Sequence, residues 1–123
     1  MPIQKASIYY QRSWCHDKLM QTKEKVNDLK EAVKLDPKNI TYLYACGRAK
    51  FDLGGEEYKS AVDHFNTILA IDPEQKEALV ERATYYMTFQ NFEKALSDLR
   101  KAKALGTNVD HLINAAEFEL ESR

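Results

Sequence analysis

Apolar positions recur along the chain in a register of 34 to 36 residues. One set at helical spacing returns three times, as Leu29, Ala32 and Leu35, then Ala61, Phe65, Ile68 and Ile71, then Ala95, Leu99, Ala102 and Leu105. Small residues recur upstream at the same steps, as Ser13, Gly47 and Ala83. Each copy therefore contains two helical segments, and a repeat of this length made of two helices is a solenoid unit.

Two prolines mark the ends of helices within this register. Pro37 and Pro73 each follow an aspartate. Proline cannot continue a helix, and it pushes the residue before it toward extended geometry. The second helices of two repeats are therefore predicted to end near Leu35 and Ile71.

Asparagine and glycine mark further boundaries. Asn91 is predicted to cap the helix that starts at Phe92, because its side chain can accept a hydrogen bond from a first-turn amide. Gly106 fits a left-handed helix stop. Gly54 and Gly55 fall where one repeat exceeds the next by two residues, which predicts a longer, looser loop between its two helices.

From Ile40 to Thr107 the chain resembles two consecutive tetratricopeptide repeats. Residues 42–49 and 79–83 match first helices, and residues 58–73 and 92–105 match second helices. The resemblance implies an all-α, right-handed superhelical solenoid of three helix-turn-helix repeats with a C-terminal capping helix.

The first of these repeats is predicted to be irregular. Lys25 stands where the later repeats have Ala61 and Ala95, and its stem would crowd the helix pair. The expected organisation is a single domain over residues 1–123, divided as follows: an irregular first repeat (6–39), a second repeat (40–75), a third repeat (76–107) and a capping helix (108–123).

The C-terminal segment carries a helical apolar stripe, formed by Val109, Leu112, Ile113, Ala116 and Leu120. Such a stripe can cover the apolar end of an array. The alternative is that this segment is the first helix of a fourth repeat. Phe118 lies off the stripe, where it either contacts a neighbour or is an isolated exposed aromatic residue.

Composition excludes several classes of function. The 123 residues are 44% hydrophobic and 30% charged, with a net charge of -1, which fits neither disorder nor a basic nucleic-acid surface. No apolar run is long enough to cross a membrane, and the N-terminus lacks a hydrophobic signal region. A cytoplasmic protein is expected, with a nuclear one as the alternative. A fragment of a longer repeat protein would have the same properties.

The chain shows no arrangement typical of catalysis, of a metal site or of a cofactor site. Cys15 and Cys46 occupy apolar positions, which favours buried thiols over a disulfide. Neither forms a Cys-x-x-Cys pair, and His64 and His111 are isolated in sequence. The pair Gly54 and Gly55 does not indicate a phosphate-binding loop, because the two glutamates that follow it would repel a phosphate. We therefore expect no enzyme activity, no metal and no cofactor.

The resemblance places the binding surface on the concave side, which first helices line. The side chains that it assigns there are Tyr10, Trp14, Lys18, Tyr44, Arg48, Phe51, Val80, Thr84 and Met87. Aromatic rings and basic groups suit a peptide ligand. Aromatic residues on first helices also pack against their own second helix, so the orientations of Trp14 and Phe51 stay open, and Met87 fits the core as well.

Family members that act as co-chaperones clamp the carboxylate of a heat-shock tail with lysine, arginine and asparagine. The corresponding places here hold Tyr10, Trp14, Ala45, Glu77 and Glu81. The two acids would repel an acidic terminus. An apolar or amphipathic helix, or a basic peptide near the two acids, is the expected ligand.

The expected function is a non-enzymatic adaptor or scaffold that binds a protein or peptide partner in its concave groove. Two alternatives remain. One is a chaperone-associated module with nonstandard peptide recognition. The other is a module that self-associates into a homo-oligomer, because a short array leaves apolar ends to cover.

Overall fold

The structure, a computed structural model, describes residues 5–11 and 22–122. In that part of the chain every regular element is a helix. Residues 5–11 are helical. Six further helices follow, here named α1 (Thr22–Leu35), α2 (Ile40–Leu53), α3 (Gly55–Ile71), α4 (Lys76–Thr88), α5 (Phe92–Ala104) and α6 (Asp110–Glu121).

The helices form two compact units, residues 1–71 and 72–123. In the first unit α1 packs against α2, and α2 packs against α3. In the second unit α4 packs against α5, and α5 packs against α6. Within each unit, short turns join these helices, so helices that follow one another in sequence also pack together. The all-α helical-repeat architecture expected from the sequence is confirmed.

Most of the predicted helix boundaries are confirmed. Helices α1 and α3 end at Leu35 and Ile71, directly before their Asp-Pro turns. The Asn91 side chain accepts a hydrogen bond of 3.4 Å from the Lys94 backbone N–H, as a capping residue should. Gly106 has φ 104°, a left-handed conformation that costs glycine little.

The prediction of a long loop at the glycine pair is wrong. Only Gly54 separates α2 from α3, and the two glycines have φ of 75° and 61°. Two successive left-handed residues reverse the chain in the shortest space. The extra residues of this repeat lengthen helices instead, so α3 has 17 residues where α5 has 13.

The two helices of each repeat approach closely at one position. A Cβ atom added to Gly47 would lie 2.7 Å from Cζ of Phe65, whose side chain is completely buried. In the second unit the corresponding positions hold Ala83 and Leu99, which belong to one buried cluster. The bulky Phe65 is thus paired with glycine, whereas the smaller Leu99 is paired with alanine. The combined side-chain volume of the two pairs is therefore similar.

Helix α6 buries the stripe predicted for it. Ile113 and Ala116 join the core of the second unit, and Leu112 and Leu120 pack against that core. Cys46, in the first unit, is a fully buried free thiol, as expected. No helix in the described ranges is both long and apolar enough to cross a membrane.

The close contact at Gly47 leads to a test. Gly47→Ala should destabilise the protein by up to about 2 kcal/mol, because overpacking a filled core costs about 1–3 kcal/mol and only roughly 1 kcal/mol is offset by the helix propensity that alanine gains over glycine. Urea unfolding followed by circular dichroism measures this change in the free energy of unfolding.

A second background isolates the cause. In a Phe65→Leu protein, Gly47→Ala should be neutral or stabilising by up to about 1 kcal/mol, because leucine leaves the space that Leu99 leaves for Ala83. An equal loss of stability in both backgrounds would show that the Phe65 ring is not the obstacle.

Candidate interaction surface

In the first unit the outer face of α2 carries an aromatic and a basic side chain one helical turn apart. Tyr44 is half-buried, and its ring meets the Phe65 ring edge-on at 5.9 Å. Arg48 is exposed. Both lie beside Gly47, so the close packing of α2 on α3 determines where they point. Together they offer an aromatic edge and a cation.

Two other predicted aromatic residues take part in packing. Phe51 stacks on Phe65 at 5.3 Å and lies 4.8 Å from Tyr58, both on its own second helix. Tyr10 is half-buried, with its ring 5.2 Å from Tyr42. The open question about Phe51 is thus answered in favour of packing, with one part of the ring left accessible.

In the second unit, the corresponding repeat positions on α4 carry different side chains from those on α2. Thr84 is exposed, and its hydroxyl donates to the Val80 carbonyl at 3.0 Å. Val80 and Met87 are half-buried against the core. Of the two predicted acids, Glu77 is exposed and Glu81 is half-buried. This face of α4 is therefore polar and acidic.

Four residues named in the sequence analysis lie outside the described residues. They are Trp14 and Lys18, assigned to the binding surface, together with Ser13 and Cys15. The structure therefore describes the predicted surface on α2 and α4 and, for the first repeat, only Tyr10.

An aromatic cluster at the end of α4 was missed by the sequence analysis. Tyr85 and Phe89 lie 4.8 Å apart, and Phe89 is 47% exposed. Arg82 and Lys94 lie 5.9 and 5.7 Å from the Tyr86 ring, at cation–π range. The i, i+4 spacing of Tyr85 and Phe89 is the signal that could have revealed this pair.

A partly buried ion pair joins α4 and α5 of the second unit. Arg82 on α4 donates to both carboxylate oxygens of Asp98 on α5, through Nε at 2.8 Å and Nη2 at 2.7 Å. Asp98 is 6% exposed. A bidentate arginine–carboxylate pair fixes orientation as well as distance, so it holds the register of these helices.

The first unit has no ion pair at the corresponding positions. The corresponding residues one repeat earlier are Cys46, which lies 36 residues before Arg82, and His64, which lies 34 residues before Asp98. Burial raises the pKa of the Cys46 thiol to about 11. Burial also lowers the pKa of His64 to about 4, and its Nε2 has no hydrogen-bond partner in the described part of the chain. Both groups are therefore neutral near pH 7.

Charged groups surround this neutral pair. Lys30 donates to Glu57 at 2.6 Å, which lowers the pKa of the Glu57 carboxyl. Lys50 is buried and donates to the Ser60 hydroxyl at 3.2 Å, with its Nζ 3.8 Å from Glu57. Positive potential from the two lysines opposes protonation of the nearby histidine.

No group of three or more His, Cys, Asp or Glu side chains within residues 5–11 and 22–122 is arranged to hold a metal ion. The described surfaces carry aromatic edges, hydroxyl groups and charges of both signs, on helices whose opposite faces are buried.

Comparison with known sequences identifies one repeat. The family model of the tetratricopeptide repeat matches residues 6–39. This is the segment in which the sequence analysis expected the least regular repeat. No curated protein sequence matches the chain.

Comparison with solved structures covers nearly the whole chain. The first tetratricopeptide repeat (TPR) domain of Spaghetti (RPAP3), bound to the HSP90 peptide SRMEEVD, has a TM-score of 0.81 at 19% identity, covering 98% of this chain and 94% of that one. The first TPR domain of human RPAP3 has a TM-score of 0.83 at 18% identity, covering 99% and 96%.

A third match is the TPR2B domain of yeast Sti1 in complex with pHsp70, with a TM-score of 0.77 at 17% identity, covering 98% of this chain and 99% of that one. At such identities the likeness establishes the fold. The chain has the all-α helical-repeat solenoid fold of these domains.

The neutral state of His64 makes stability depend on pH. Its pKa is lower in the folded state than the ordinary value of 6.5, so its contribution is complete above pH 6.5 and is lost as the pH falls toward 4. The loss is at most about 3 kcal/mol, at roughly 1.4 kcal/mol per pKa unit. Burial is the main cause of the low pKa of His64; Lys50 and Lys30 lower that pKa further, whereas Asp63 and Glu57 raise it.

Urea unfolding at a series of pH values measures this effect. The His64→Gln protein should lose less stability than the unmodified protein between pH 6.5 and 4. His111 is exposed, so His111→Gln should leave the pH dependence unchanged. Equal pH dependence in all three proteins would contradict the assignment to His64.

Proposed function

We propose that the chain is a non-enzymatic adaptor or scaffold that binds a peptide or helix of a partner protein, on the premise of the tetratricopeptide repeat that the family model matches at residues 6–39 and of the helical-repeat fold shared with solved domains. In each unit the binding surface is the exposed face of the first helix, defined by Tyr44 and Arg48 on α2 and, separately, by Val80 and Thr84 on α4. A protein-interaction role agrees with structural neighbours solved with HSP90 and Hsp70 peptides.

One observation carries the proposal. Arg48 and Thr84 occupy the same place in the repeat register, and both are exposed although the helices that carry them are packed on the opposite side. Rigid helices hold such side chains in position before a partner arrives. Binding then costs less conformational entropy than binding by a flexible surface.

Charge favours a particular kind of ligand. At the places where co-chaperone domains carry cations, this chain has Glu77, which is exposed, and Glu81. An acidic peptide terminus would meet like charge there. An apolar or amphipathic helix, or a basic peptide, is the better ligand for this face.

Affinity capture from cell extract, with mass spectrometry of the retained proteins, tests the proposal. Arg48→Glu reverses a charge on the first-helix face and should reduce capture of the partner at least about tenfold, a loss of roughly 1.4 kcal/mol of binding free energy. The purified partner is then titrated against both proteins to measure Kd.

Lys59→Glu is the matched control. Lys59 is exposed on α3, a second helix, so the same charge reversal there should leave capture unchanged. Both variants are first checked for unchanged helicity and melting temperature. If both lose the partner equally, net charge governs binding, and the proposed face is wrong.

A second candidate function is a chaperone-associated module with nonstandard peptide recognition. It is favoured by the neighbours that were solved with heat-shock peptides, the first TPR domain of Spaghetti with SRMEEVD and TPR2B of Sti1 with pHsp70. In this chain recognition of such a tail would have to use Arg48, together with Lys18, which lies outside the described residues.

The peptide SRMEEVD separates the two functions. We expect negligible binding of this peptide by fluorescence anisotropy, whether its C-terminus is a free acid or an amide, because Glu77 and Glu81 repel its acidic residues. Tight binding of the free acid and loss of binding with the amide would establish carboxylate recognition and replace the adaptor proposal with the chaperone-associated one.

A further inference from the structure

Helix α6 continues the first-helix register. Leu79 and Arg82 of α4 correspond, 34 residues later, to Ile113 and Ala116 of α6. By the same step, Thr84 corresponds to Phe118. Phe118 therefore occupies the same repeat position as the exposed residues of the proposed binding face. The sequence analysis did not assign it to that face.

Phe118 faces away from the core. Ala116 is completely buried and Leu120 packs against the core, whereas Phe118 is 67% exposed. It lies two residues from each of them, about 200° around the helix. Among the described residues it is the most exposed of the large hydrophobic side chains. Exposing an aromatic ring to this extent costs free energy that a ligand can recover.

The charge around Phe118 is negative. Helix α6 contains four acidic residues and no lysine or arginine. Two of the acids, Asp110 and Glu117, form ion pairs with Lys103 and Arg100 of α5. These pairs neutralise two of the four acids, so the negative charge of the helix comes from the other two.

The other two acids of α6, Glu119 and Glu121, are exposed. Glu121 follows Phe118 by three residues and therefore lies on the same side of the helix. The second unit as a whole has ten acidic and seven basic residues. A ligand for this side of α6 therefore needs an apolar group together with positive charge.

We propose that the outer side of α6, centred on Phe118 and Glu121, is a docking surface for a cationic amphipathic segment of the partner. An apolar side chain of that segment contacts the Phe118 ring, and lysine or arginine residues face Glu121 and, on α4, Glu77. The proposal deepens the proposed function and rests on it, because it extends the first-helix face of the second unit by one helix.

The probe is a labelled helical peptide of lysine and leucine whose leucines form one stripe. Fluorescence anisotropy should show salt-dependent binding to the intact chain. Phe118→Ala should raise Kd at least about tenfold, and Glu121→Lys should raise Kd and weaken its salt dependence. A peptide with serine in place of leucine should bind no better than the Phe118→Ala protein binds the original.

Two controls test position. Phe89→Ala removes an exposed aromatic residue from the turn after α4, and Glu74→Lys reverses an exposed charge in the turn before α4. Each should leave Kd within about twofold of the unmodified value, since neither lies on α6. Losses equal to those of the α6 variants would overturn the proposal, because general hydrophobicity or net charge would then explain binding.

Failure of this inference is distinguishable from failure of the proposed function. A captured partner that depends on Arg48 but binds Phe118→Ala normally would overturn the α6 surface and leave the first-helix function intact. Sedimentation velocity adds a further outcome. If the intact chain is a dimer and Phe118→Ala is a monomer, α6 binds a second copy of this chain, and the cationic-segment proposal is wrong.

Discussion

The close approach of the two helices within each repeat is the constraint on which the rest of the structure depends. In the first unit the bare Cα of Gly47 lets the Phe65 ring lie against α2. That ring in turn supports Tyr44 and Phe51. The side chains available to a partner on α2 are thus positioned by a contact on the buried side of the same helix, because packed interiors transmit shape with little slack.

Repeat register and turn chemistry predicted most of the fold. The ends at Leu35 and Ile71 followed from the prolines, and the cap at Asn91 followed from its side-chain chemistry. The prediction at the glycine pair was wrong because two extra residues in a repeat suggest a longer loop. Their left-handed conformation instead makes a one-residue turn, and the added length passes into the helices. Composition cannot reveal this choice, which depends on how α2 and α3 pack.

For the candidate surface, the sequence could predict which residues share a place in the repeat register, but not how each side chain packs. The register identified Arg48 and Thr84, both of which are exposed. It could not decide the orientation of Phe51, because that ring packs against Tyr58 near the start of α3, the helix that the extra residues lengthen. Nor did it assign Phe118 to the binding surface, since that residue lies off the buried stripe and its spacing left open whether the ring contacts a neighbour. Side-chain direction depends on neighbours that local spacing does not specify.

The different polar pairs of the two units limit how this protein can be recombined. Arg82 and Asp98 complement each other across α4 and α5, whereas the corresponding residues in α2 and α3 are a neutral thiol and a neutral imidazole. A chimera that combined α4 with α3 would place a guanidinium beside an imidazole, without its carboxylate. The modular unit of this array is therefore the matched helix pair, and duplication or design has to exchange both helices together.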